Sequence, residues 1–106
     1  MAGTRLTVLY PHPADIAQFE SDYQAHMQLL HEKLGLPADA RPYTVTRFIP
    51  TPMGPPAFFQ MFTFHFSSAE GMGAALNSPE MQDMAADAIR ISTGGMPVFM
   101  AGVDAD

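Results

Sequence analysis

Within the stretch DYQAHMQLLHEKLG, Asp22 to Gly35, a tyrosine and two histidines sit inside one helical pattern. At about 100° per residue, Tyr23 and His26 stand roughly 60° apart and share one side of such a helix. His31 lies about 140° from His26 by the same geometry, so the two imidazoles diverge. A two-histidine metal pair on a helix wants a spacing of four, which excludes His26 with His31. His31, flanked by Glu32 and Lys33, is expected in solvent.

His26 adjoins Met27 on an apolar stripe, which places its ring beside the sheet. A neutral imidazole there can take or give a proton near neutral pH, as general acid–base chemistry requires. Tyr23 would orient it or hydrogen-bond a substrate oxygen. The competing reading is a partly buried histidine held by a backbone carbonyl, with Tyr23 in the core. His65, on a later strand in line with Phe59, Met61 and Thr63, would reach the same pocket or an interface between subunits. Phe62, Tyr43 and Met27 are the expected apolar lining, within a core rich in strand aromatics suited to an apolar or aromatic molecule. Arg47 would form a surface ion pair or hold an anionic group. His12, between two prolines, is expected exposed.

Other chemistries are absent from the pattern. No cysteine occurs, which removes thiol catalysis, disulfides and cysteine-ligated metal. STGGMP lacks the lysine and the strand-before-helix setting of a phosphate loop. No Gly-x-Ser-x-Gly elbow and no suitably spaced carboxylate pair is present. Five basic residues against eleven acidic ones give a net charge of −6, which disfavours nucleic acid and anionic membranes as partners. No charged leader with a following apolar run and no membrane-length apolar segment is seen, so a cytoplasmic protein is expected.

The elements that must position these residues follow from periodicity. TRLTVLY, Thr4 to Tyr10, reads as a strand ended by Pro11 and Pro13. A helix opening at Ala14 or Asp15 runs to about Leu34, with Ile16, Phe19, Tyr23, Met27, Leu30 and Leu34 as its stripe and Gly35 as its stop. Strands follow at Arg41–Pro50 and Ala57–Phe66, separated by the loop TPMGPP. A short helix capped by Ser67 or Ser68 leads to a second, capped by Ser78 with Pro79 in first position. A last strand spans about Pro97 to Val103. The order is β-α-β-β-α-β with the second helical region split, an α+β ferredoxin-like arrangement whose helices cover one sheet face. All 106 residues are expected to form one domain.

Strand Ala57–Phe66 is apolar on both parities, whereas a sheet with one wet face alternates with polar residues. With 47% hydrophobic and 15% charged residues, a second apolar surface needs cover. A second copy, sheet against sheet, is the simplest supplier.

VLYPHPAD, FESDYQAHMQLL, SPEMQDMAAD and STGGMPVFMAG together resemble the EthD family, named for ethyl tert-butyl ether degradation, within the dimeric α/β-barrel superfamily. The likeness covers nearly the whole chain. The family pattern has a tyrosine followed closely by His-Met-Pro-Leu or His-Val-Pro-Leu, met here by Tyr23, His26, Met27 and Leu29. Gln28 replaces the usual proline and makes the helix more regular. The resemblance implies a ferredoxin-like subunit, a homodimer through sheet faces and a pocket between sheet and helices. Superfamily relatives include cofactor-free monooxygenases, lactone isomerases, aldoxime dehydratases and haem-binding enzymes. A shared fold does not choose among them. Three readings therefore stand. One is a cofactor-free oxygenase or isomerase with His26 as acid–base group and Tyr23 as helper, needing neither metal nor organic cofactor. The second is a non-catalytic accessory binder in a degradation pathway. The third is a haem protein with His26 or His65 as axial ligand.

Overall fold

The computed structural model describes residues 3–105. The chain runs β1 (Thr4–Tyr10), α1 (Ile16–Leu34), β2 (Tyr43–Arg47), β3 (Gln60–Phe66), α2 (Ala69–Leu76), α3 (Pro79–Ile91) and β4 (Val98–Val103). The strands form one antiparallel sheet in the order β2-β3-β1-β4. Both β1 neighbours are therefore distant in sequence, and β2 and β4 are the edges. The α+β, ferredoxin-like expectation is met.

Register decides which side chains meet the helices. Leu6 pairs with Phe64 and Val8 with Phe62 across β1 and β3, and Tyr43 pairs with Phe64 across β2 and β3. All five are buried beneath the helices. Opposite-parity residues Thr7, Leu9 and Met61 are only half-buried, because no element among the described residues covers that face; Thr63, in the sheet's middle, is buried there.

Each helix begins where local chemistry places it. Asp15 accepts from the Gln18 amide, Ser68 from Gly71 and Ser78 from Met81, each satisfying a donor that the first turn leaves free. Gly35 ends α1 in the left-handed region (φ 64), which a side chain would strain. Gly94 serves a different need: a β-carbon there would run into the His12 carbonyl, so only glycine lets the turn before β4 lie on the turn before α1.

Three expectations change in detail. The buried stripe of α1 is Phe19, Tyr23, His26 and Leu30; Met27 is half-buried at its margin and Ile16 is 52% exposed. The helix rolls so that His26 itself faces α3, and Ile16, at its first turn, overhangs solvent. β3 starts at Gln60 rather than Ala57, so Phe59 leaves the strand parity. Its ring meets Phe19 edge-on at 5.7 Å, on the helix side. β2 is shorter than expected, Tyr43 to Arg47, since Pro42 and Pro50 interrupt the ladder on either side.

Candidate functional site

His26 is 7% exposed and its Nδ1 lies 2.7 Å from Oδ2 of Asp87 on α3. An ionised carboxylate only accepts, so Nδ1 carries the hydrogen and donates it. The other Asp87 oxygen accepts from Arg90 Nε at 2.8 Å, which leaves both carboxylate oxygens engaged. Nε2 of His26 has no hydrogen-bond partner among the described residues.

Electrostatics agree with that assignment. Burial holds the His26 pKa below the usual histidine value; Asp87 opposes this and Arg90 adds to it. Burial works to raise the Asp87 pKa, but hydrogen bonds from His26 and Arg90 outweigh it and the net shift is downward. The pair is thus a neutral imidazole donating to an ionised carboxylate.

His26 lines a cavity of about 290 Å³ between sheet and helices. Its floor comes from Leu6, Val8 and Tyr10 of β1 with Phe62 of β3; helices α1, α2 and α3 roof it, and Phe99 and Ala101 of the exposed edge strand β4 border one side. Among the described residues, no Lys, Arg, Asp or Glu lines it. The polar members besides His26 are Tyr10 and Gln82. Tyr10 is 1% exposed, and its hydroxyl has no hydrogen-bond partner among the described residues. Burial raises its pKa, with Tyr23 and Asp87 nearby adding to the effect, so it stays a phenol.

The remaining candidate residues, Phe62 apart, lie outside this cavity. Phe62 shares the cavity with His26. The Tyr23 ring lies 5.8 Å from that of His26 but outside the cavity, with its hydroxyl buried and unbonded and its pKa raised mainly by burial. Met27 and Tyr43 line a separate open groove on the other side of α1, together with His31. His31 corrects the expectation of a solvated side chain. It is half-buried, donating Nδ1–H to the Pro37 carbonyl at 3.0 Å and accepting from the Tyr43 hydroxyl at 2.7 Å. The chain turns back at Gly35 and delivers both partners to it. His65 is exposed on the sheet face away from the helices, opposite Arg5 in the β1–β3 register. Arg47 bonds Gln60 at 2.9 Å and Glu20 at 3.3 Å and stacks on Phe59, the surface-pair alternative. His12 is exposed and donates Nε2–H to the Pro56 carbonyl.

Asp87 and Tyr10 were not singled out by sequence as site residues. Asp87 does close the SPEMQDMAAD segment, one residue before Ala88 on the α3 stripe, so its place beside the buried face was readable. Its partner was not, because that depends on how α3 packs on α1.

No family model matches the chain. It is 31% identical over 96 residues, 90% of this chain and 89% of the relative, to an uncharacterised 11.0 kDa protein of the thcB-thcC intergenic region of Rhodococcus erythropolis. An ethyl tert-butyl ether degradation (EthD) family protein from Bacillus halodurans superposes with a TM-score of 0.78 at 26% identity, covering 96% of this chain and 97% of that one. In sequence and fold the chain is similar to EthD-family proteins. An EthD-like protein from Ralstonia eutropha also matches, with a TM-score of 0.64, 26% identity and coverage of 96% and 91%. Fold alone is shared with more distant structures at 10–16% identity. These include dimeric ferredoxin-like proteins of unknown function and SnoaB, a cofactor-independent oxygenase from Streptomyces nogalater. The EthD-like fold here thus holds a cavity of small-molecule size with one histidine at its wall.

Proposed function

We propose that this EthD-like chain is a homodimer, joined through the open sheet faces, that takes a small apolar or aromatic molecule into the sheet–helix cavity. There His26 acts as a cofactor-free acid–base group in an oxygenation or isomerisation. The observation that carries this reading is the His26–Asp87 hydrogen bond beside an otherwise carbon-lined cavity. Asp87 orients the imidazole and leaves Nε2 able to accept a proton from an activated carbon or hydroxyl. In this reading Asp87 takes the helper role expected of Tyr23. Fold likeness to a cofactor-independent oxygenase supports the reaction class, by analogy.

A second reading is non-catalytic binding. It is favoured by the lack of any Lys or Arg in the cavity lining among the described residues, because an enolate or phenolate formed there would find only the imidazolium of His26 as a charged partner. Incubating the purified dimer with retained or candidate ligands and following them by mass spectrometry separates the two. Consumption that stops in a folded His26→Ala variant supports the enzyme, and binding without consumption supports the accessory role. Unchanged affinity and turnover in that variant removes His26 from function.

A further inference from the structure

Two buried polar residues line the cavity, His26 and Tyr10, and their polarity limits what can enter; the third polar residue, Gln82, is exposed. Nδ1 of His26 must donate, because Asp87 can only accept and both its oxygens are engaged by His26 and Arg90. Nε2 is then an acceptor with no partner among the described residues. Tyr10, on the floor of the same cavity, brings a hydroxyl that can donate to a ligand oxygen. Among the described residues, no Lys or Arg lines the space.

A ligand carboxylate or phosphate would lose its hydration there and meet no positive charge, an unfavourable exchange. A ligand carrying only acceptors, such as an ether, could take the Tyr10 hydrogen but would leave Nε2 unbonded or crowd two acceptors together. A hydroxyl satisfies both groups with one oxygen, donating to Nε2 and accepting from Tyr10. We propose that the cavity selects neutral, compact, largely apolar molecules that present a single hydroxyl, with phenols the simplest class. Asp87 imposes this choice by fixing the tautomer of His26. The proposal rests on the cavity being the ligand site and narrows what that site accepts.

Three probes of one ring size test it: phenol, its methyl ether anisole, and benzoate. Each is titrated into the ¹⁵N-labelled protein near pH 7.5, with His26 ring nitrogens followed by long-range ¹H–¹⁵N correlation. The free protein should show the Nδ1–H tautomer. Phenol should move the Nε2 resonance and bind about tenfold more tightly than anisole, the scale of one orphaned acceptor. Benzoate should leave His26 unmoved. In Asp87→Asn the side-chain amide can donate to Nδ1, Nε2 then carries the hydrogen, and the preference for phenol over anisole should collapse or reverse. If that variant does not fold, the wild-type affinity ratio and tautomer still decide the matter. Equal binding of phenol and anisole, with His26 perturbed by both, overturns the donor rule and leaves the cavity as a ligand site. No response of His26 to any probe overturns the rule and the cavity reading together.

Discussion

His26 and Asp87 lie 61 residues apart in sequence and 2.7 Å apart in space, one on α1 and the other on α3. This contact ties the two long helices together under the surface and fixes the one imidazole that reaches the cavity. Its loss should be felt both in stability and in the state of the ring.

Replacing Asp87 with alanine leaves the His26 Nδ1–H buried and unbonded, which costs about 1–3 kcal/mol. Asp87→Asn keeps a polar partner and should lose less. Urea denaturation midpoints at constant m-value order the three proteins: wild type, then Asn, then Ala. An Asp87→Ala protein as stable as wild type would mean that the hydrogen bond is not formed in solution.

Acid should destabilise the fold in two stages. His26 has a lowered pKa when folded, so the unfolded chain binds its proton first and stability falls as pH drops through the ordinary histidine range, about 6.5. Asp87 is also lowered, so its contribution is present above the ordinary carboxylate pKa, about 3.9, and disappears as pH falls through the folded value. Melting temperature against pH should therefore decline below neutrality. His26→Gln should flatten the upper part of that decline and weaken the lower part, because His26 also holds the Asp87 pKa down; Arg90 preserves the remainder.

Phe19 and Ile16 look equivalent in the apolar pattern of α1, yet one is 1% and the other 52% exposed. Phe19→Ala should cost about 3–5 kcal/mol, enough to unfold a marginal domain. Ile16→Ala should stay within roughly 0.5 kcal/mol of wild type. Thermal unfolding of the two variants checks the helix roll directly.

Gly94→Ala would press a methyl group onto the His12 backbone and should destabilise by about 1–3 kcal/mol. Gly73, inside α2 with open space where its β-carbon would be, is the control. Gly73→Ala should stabilise by up to about 1 kcal/mol through helix propensity alone. Calorimetry on both variants gives opposite signs if the close approach of the two turns is real.

The open sheet face carries the dimer proposal. Met61 is half-buried there even in the single chain. Met61→Asp would place carboxylates on facing sheets and should convert a dimer to a monomer with unchanged helical content. Sedimentation velocity beside circular dichroism reads both. A variant that stays dimeric locates the contact elsewhere.

Much of this architecture was legible in the sequence because it is written in short-range chemistry. The caps Ser78–Pro79 and Gly35 mark helix ends, and runs of β-branched and aromatic residues mark β1 and β3. What escaped was decided by packing. His31 looks solvated beside Glu32 and Lys33 until the reversal at Gly35 carries Pro37 and Tyr43 back to it. Phe59 looks like a continuation of β3, but its ring turns under Phe19 because the strand has not yet begun. His26 could be placed near the stripe, while the partner that sets its tautomer depends on the contact between α1 and α3.

The cavity joins β1, near one end of the chain, to β4, near the other, with Leu6 opposite Ala101 in the ladder. Without residues 98–103 the cavity would lose the wall that Phe99 and Ala101 form. Any ligand held there would therefore depend on β4 being docked against β1. A molecule that fits would favour the docking of β4 by mass action, bracing the sheet edge that borders it.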